Sequence, residues 1–178
     1  MTKTHNFVFL ALQVVAWIIF VGLSIEAGAL IVNFLFSIFK PEIIDNLYQK
    51  LNLTDLYSSS KIAFYAIYSL ILFIALQKAS LFYLVIMLMQ KLNLSKPFNE
   101  LVSKQITKIS YYTLSIGIAS IVARQVTKNL MAHGYVTDNL NQFWADSDSY
   151  ILMGAIIYII ATIFKKGLEI QNENDLTV

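Results

Sequence analysis

The pattern of apolar positions opens with one very long run. From Phe7 to Phe39 the strongly polar residues are few: Gln13, Glu26 and Asn33. At 1.5 Å per residue a helix of that length covers about 50 Å, against a hydrocarbon core of about 30 Å. The run therefore predicts a membrane-spanning helix that tilts or projects at one end. It is far longer than the ~7–15-residue apolar part of a cleavable signal peptide. A second run, Ile62 to Met89, is interrupted by Gln77 and Lys78. A third, Ile106 to Val126, carries Arg124. The fourth, Tyr150 to Phe164, is short, but Lys165 and Lys166 can snorkel to the interface and the helix is expected to continue to about Asn172. The spans are placed at about 7–39, 62–89, 106–126 and 150–164.

Core helices of a soluble bundle are striped, whereas the first two runs are apolar nearly all round. A barrel needs ~10-residue alternating strands separated by turns, which do not occur. The expected fold is an all-α integral membrane protein, with four transmembrane helices in a bundle forming one domain over residues 1–178. Between the first two spans, Pro41 suits the first position of a helix. Ile43, Ile44, Leu47 and Leu51 then oppose Glu42, Asp45, Gln49 and Lys50, predicting a short amphipathic helix on the membrane surface or over the bundle mouth. Ser58 to Ser60 can cap the second span, and Asn99, after the Lys96–Pro97 break, can cap the third. That third helix is expected from about Asn99 to Lys128. Ser147 to Ser149 can cap the fourth, with Asp146 and Asp148 as its acidic first turn. Phe143–Trp144 reads as an interfacial aromatic anchor.

Composition sharpens this. Hydrophobic residues make up 57% and charged residues 13% of 178 positions, against roughly 45–50% and 25% in ordinary globular chains. With no cysteine there is no disulfide, thiolate–metal or CxxC chemistry. A net charge of +2 is too balanced for direct nucleic-acid binding. With both ends inside, seven basic residues fall on the inner side (Lys3, Lys91, Lys96, Lys104, Lys108, Lys165, Lys166) and five on the outer (Lys40, Lys50, Lys61, Arg124, Lys128). The bias predicts an N-in, C-in orientation, with residues 165–178 as a cytoplasmic tail.

Ionisable residues within spans mark functional or structural polar sites. Gly22, Glu26, Asn33 and Ser37 share one face of the first span; Thr113, Gly117, Ser120 and Arg124 share one face of the third. Measured from the inner ends of their runs, Glu26 lies about 28 Å and Arg124 about 22 Å along the axis. Glu26, Asn33, Ser120 and Arg124 are thus expected to form an intramembrane polar site around a Glu26–Arg124 ion pair. Such a site either receives a ligand or proton, or fixes the packing of two helices. Lys78 is expected to snorkel inward or to meet a group of the fourth span or tail such as Glu169, since Glu26 lies about 12 Å too far out. Ser115, Ala119 and Ala123 form a small-residue stripe, suited to close packing within the chain or to a homo-oligomer. His5 and His133 fall on opposite sides and cannot share a metal. No GxxxxGK[ST], HExxH or GxSxG occurs, and no enzyme activity or cofactor is expected.

The carboxyl end resembles a known family. The chain runs Phe164-Lys-Lys-Gly167-Leu168-Glu169-Ile170-Gln171 and ends Asp175-Leu176-Thr177-Val178. Together with Lys96-Pro97-Phe98 after the second span, this is similar to the bacterial membrane family called domain of unknown function 2975. The resemblance implies four spans in the bacterial cytoplasmic (inner) membrane, no established activity, and partnership with small helix-turn-helix regulators. The expected function is a membrane-bound sensor or regulatory partner of a cytoplasmic transcriptional regulator, with Asp175, Leu176, Thr177 and Val178 as the docking tail. The alternative is a small transporter or immunity-type protein using the intramembrane polar site.

Overall fold

The computed structural model describes residues 3–40, 53–92, 99–137 and 140–175. Among them every regular element is helical: α1 (Lys3–Phe39), α2 (Thr54–Ser59), α3 (Lys61–Lys91), α4 (Glu100–Ala132), a 3-10 turn (Leu140–Phe143) and α5 (Ser147–Asp175). Four of these helices are long and apolar enough to cross a membrane, as the apolar runs predict.

Their ends have local causes. The Ser60 side chain accepts a hydrogen bond from the Ala63 N–H (3.3 Å), and Asn99 Oδ1 accepts from the Val102 N–H (2.9 Å). Each satisfies one of the first-turn donors that a helix leaves unpaired. α4 accordingly starts well before its apolar run, in a polar first turn containing Glu100 and Lys104. The amphipathic stretch expected around Ile43 to Leu51 lies outside the described residues; the short helix described between the first two spans is α2, whose Leu56 is buried. α5 is helical to Asp175. Residues 165–175, read from sequence as a tail helical to about Asn172, therefore continue the helix of the last span.

The long helices pack in chain order: α1 on α3, α3 on α4, and α4 on α5. α3 and α4 are the inner members of this row. Leu30, Phe64, Ile67, Tyr68, Ile71, Ile116 and Ala123 form the buried core between them and α1. The outer face of α1 is left to the membrane, with Ile18 and Ile25 about two-thirds exposed (67% and 68%). The Tyr68 hydroxyl donates to the Leu30 carbonyl (3.1 Å) and the Tyr65 hydroxyl to the Ser37 carbonyl (3.2 Å), while Phe20 meets Tyr83 at the other end of the seam (5.8 Å between ring centroids). These contacts set an antiparallel register in which Lys91, the last residue of α3, is level with about Leu12. The first turns of α1 project past α3, which is how 37 residues fit beside 31. Gln77 Nε2 donates to Ser115 Oγ (3.1 Å) and Gln105 Nε2 to the Leu84 carbonyl (3.0 Å), tying α3 to α4. The small-residue stripe of α4 is used within the chain at Ser115 and at Ala123, which is fully buried.

The α4–α5 seam is the closest. A Cβ at Gly117 would stand 2.9 Å from the Ile151 backbone nitrogen, and one at Gly154 would stand 2.9 Å from that of Leu114. Both glycines are required because the opposing obstacle is backbone, which cannot rotate away.

Candidate functional site

The four residues expected to form one intramembrane polar site are distributed over two seams. Arg124 pairs with Asp148, not Glu26: its two terminal guanidinium nitrogens lie 3.1 and 3.4 Å from the two carboxylate oxygens. The reason is helix order. α4 faces α3 and α5, so the first turn of α5 lies beside Arg124, whereas α1 packs along α3. This pair is at the surface, with the Asp148 side chain 75% exposed. Ser120 is buried in α4, and Asn33 is half-buried on α1.

Glu26 instead shares a cavity with Lys78. Both line a cavity of ≈ 50 Å³ between α1 and α3, together with Leu23, Ile74, Ala75 and Phe143. The expected depth mismatch is smaller in the structure: the contacts of Phe20 with Tyr83 and of Leu30 with Tyr68 set Glu26 level with α3 between about Leu72 and Gln77. Side chains lean toward the start of their own helix. In an antiparallel pair, Glu26 and Lys78 thus lean toward each other across the seam. Lys78 Nζ also lies 5.5 Å from the centre of the Tyr150 ring, within cation–π range. It thus meets a group of the fourth span, one of the two expected outcomes, though that group is Tyr150 and not Glu169, which pairs with Lys166 (3.0 Å). Among the described residues neither Glu26 nor Lys78 is in a direct salt bridge. A cavity of this size has room for water.

Phe143, from the 3-10 turn between α4 and α5, forms part of the cavity wall, and Trp144 is 2% exposed, packed into the core. The expected interfacial anchor is thus turned inward, a placement the bare Phe-Trp pair does not reveal. The Trp144 indole N–H and Thr137 hydroxyl are buried and have no hydrogen-bond partner among the described residues. His133 closes α4 by placing Nδ1 2.8 Å from the Asn129 carbonyl. It lies at the Lys61 end of the row, whereas His5 lies in the first turns of α1 at the Lys91 end.

A second concavity lies at the Lys91 end. The first turns of α4 and last turns of α5 enclose a groove of ≈ 460 Å³, lined by Ser103, Lys104, Lys108, Lys165, Leu168 and Glu169 among others. Lys104 is bound to Glu100 (2.6 Å) and Glu169 to Lys166. Asp175 closes α5; Leu176, Thr177 and Val178, the expected docking tail, lie outside the described residues.

Four apolar helices packed through small residues and interhelical hydrogen bonds, with charged groups held in seams, define a multi-pass all-α membrane protein. The chain belongs to the family described as protein of unknown function (DUF2975), which matches residues 47–178. The match takes in α2 to α5 and therefore Lys78, Arg124 and the groove, but not Glu26. No curated protein and no solved structure matches the chain.

Proposed function

We propose that this protein is a membrane-bound sensor or regulatory partner of a cytoplasmic protein of the helix-turn-helix type, set in the bacterial cytoplasmic membrane with both ends inside. The observation that carries this reading is the continuation of α5 as a helix beyond its apolar stretch, from Lys165 to Asp175. That extension exposes Ile170 (50%) between Glu169 and Glu173. A short helix offering an apolar residue among acids suits the basic groove of a DNA-binding partner. The charged cavity between α1 and α3 supplies an element whose occupancy or protonation would change helix packing at depth. The orientation rests on the lysines of the Lys91 end.

Two measurements test the proposal. Cysteine introduced at exposed Asn141 in this cysteine-free chain should react with an impermeant thiol reagent in intact cells, while cysteine at Lys91 should not; the reverse pattern overturns the orientation. Full-length protein solubilised from native membranes should retain a helix-turn-helix protein, and deletion of Asp175 to Val178 should release it. Retention of the same protein by the truncated chain contradicts the docking role of this end.

A further inference from the structure

We infer that the groove between the first turns of α4 and the last turns of α5 binds the phosphate headgroup of an anionic phospholipid. The groove has the volume, ≈ 460 Å³, and the charge for such a group. Its two acids are already neutralised: Glu100 is held by Lys104 and Glu169 by Lys166. Lys108 and Lys165 also line it, and among the described residues neither is in an ion pair. Two lysines that form no salt bridge among the described residues therefore line one concavity, Lys165 also lying within the electrostatic reach of Glu169.

The helix register brings them together. Gly117 lies against Ile151, Leu114 against Gly154, and Tyr111 against Tyr158 (6.1 Å between ring centroids). Continued toward the Lys91 end, the same register sets Lys108 opposite Ala161 and Lys104 opposite Lys165. Lys108 leans toward the start of α4 and Lys165 toward the start of α5. The two ammonium groups thus converge from levels one turn apart, the arrangement that clamps a phosphate from both sides.

A lipid, not a free phosphate, fits the surroundings. The groove opens where two spans leave their apolar stretches, and Leu168 forms part of its wall. One turn deeper, the exposed pair Tyr111 and Tyr158 (55% and 46%) stands at the position of an interfacial aromatic belt. A headgroup between the lysines would direct its acyl chains down past these rings. Basic pockets between spans recognise anionic headgroups in this way. Of the α5 residues proposed to meet a regulatory partner, Glu169 lines the groove, whereas Ile170 and Glu173 do not.

The test is native mass spectrometry of the full-length protein in a neutral detergent, titrated with phosphatidylglycerol or with phosphatidylcholine of the same chains. Phosphatidylglycerol should bind at least about tenfold more tightly, and the double variant Lys108→Gln/Lys165→Gln should weaken it about thirtyfold, at roughly a factor of five per lysine. Lys40→Gln/Lys128→Gln, the same charge change at the Lys61 end, should leave binding unaltered. Leu168→Trp, which fills the groove without changing charge, should also weaken it. Equal binding of the two lipids overturns the inference, as does an unaffected Lys108/Lys165 variant or an equal loss from the Lys40/Lys128 variant. Competition by glycerol phosphate as strong as that by the intact lipid would show a free-phosphate site and overturn the lipid assignment.

Discussion

Alanine at Gly117 or Gly154 should loosen the α4–α5 seam. An added Cβ at either position would lie 2.9 Å from a backbone nitrogen of the facing helix and 2.8 Å from a side-chain carbon. Ordinary contact begins near 3.4 Å, so the helices must part by about half an ångström over this stretch, and overpacking of that kind costs about 1–3 kcal/mol. Replacing glycine within a helix returns about 0.5–1 kcal/mol through reduced backbone freedom. The net expectation is a loss of about 1–2 kcal/mol for each single variant. One separation relieves both clashes, so the double variant should lose less than the sum of the singles. Gly22 and Gly28 on α1 are internal controls, because nothing lies within 4 Å of a Cβ at either. Alanine there should be neutral or slightly stabilising. The assay is denaturant titration of the purified protein in mixed micelles, followed by circular dichroism. If Gly117→Ala and Gly154→Ala behave like Gly22→Ala and Gly28→Ala, the close approach of α4 and α5 is refuted.

Tyr68→Phe removes the hydroxyl that donates to the Leu30 carbonyl and should cost about 0.6 kcal/mol, the usual worth of an interhelical hydrogen bond in a membrane protein; no change in the same titration would mean that α1 and α3 are not joined there. Asp148→Asn breaks a surface pair with Arg124 and should leave the midpoint of the same titration nearly unchanged. A large drop in that midpoint would place Arg124 at a buried site.

The spans and their caps are legible in the sequence because hydropathy and capping are local. A 33-residue run from Phe7 to Phe39 cannot avoid the membrane, and Ser60 and Asn99 cap where their positions ahead of apolar runs suggest. Helix neighbours are less legible. Lipid and protein are equally apolar surroundings, so hydropathy cannot show that α1 packs on α3 and leaves α4 to α5. The error at Glu26 has that origin: its cost in the membrane is apparent from the sequence, but its partner depends on helix order and on how far α1 projects. Gly117 shows the same limit. It shares a face with Ser120 and Arg124, yet its use is defined by Ile151 on a helix thirty positions away. Trp144 follows an apolar-interface pattern and is nevertheless turned inward, because the connection between α4 and α5 packs it into the buried core.

The arrangement of Glu26 against Lys78 is tested most directly by double-mutant cycles on the full-length protein. Glu26→Gln and Lys78→Gln should each destabilise it, and the double variant should lose less than their sum, with a coupling of about 0.5–3 kcal/mol as for residues sharing a network. The charge-exchanged variant Glu26→Lys/Lys78→Glu should recover part of the loss. The parallel cycle between Glu26 and Arg124 should be additive within about 0.5 kcal/mol. Coupling of Glu26 to Arg124 with none to Lys78 would contradict the packing of α1 on α3 in this register, and with it the charged cavity.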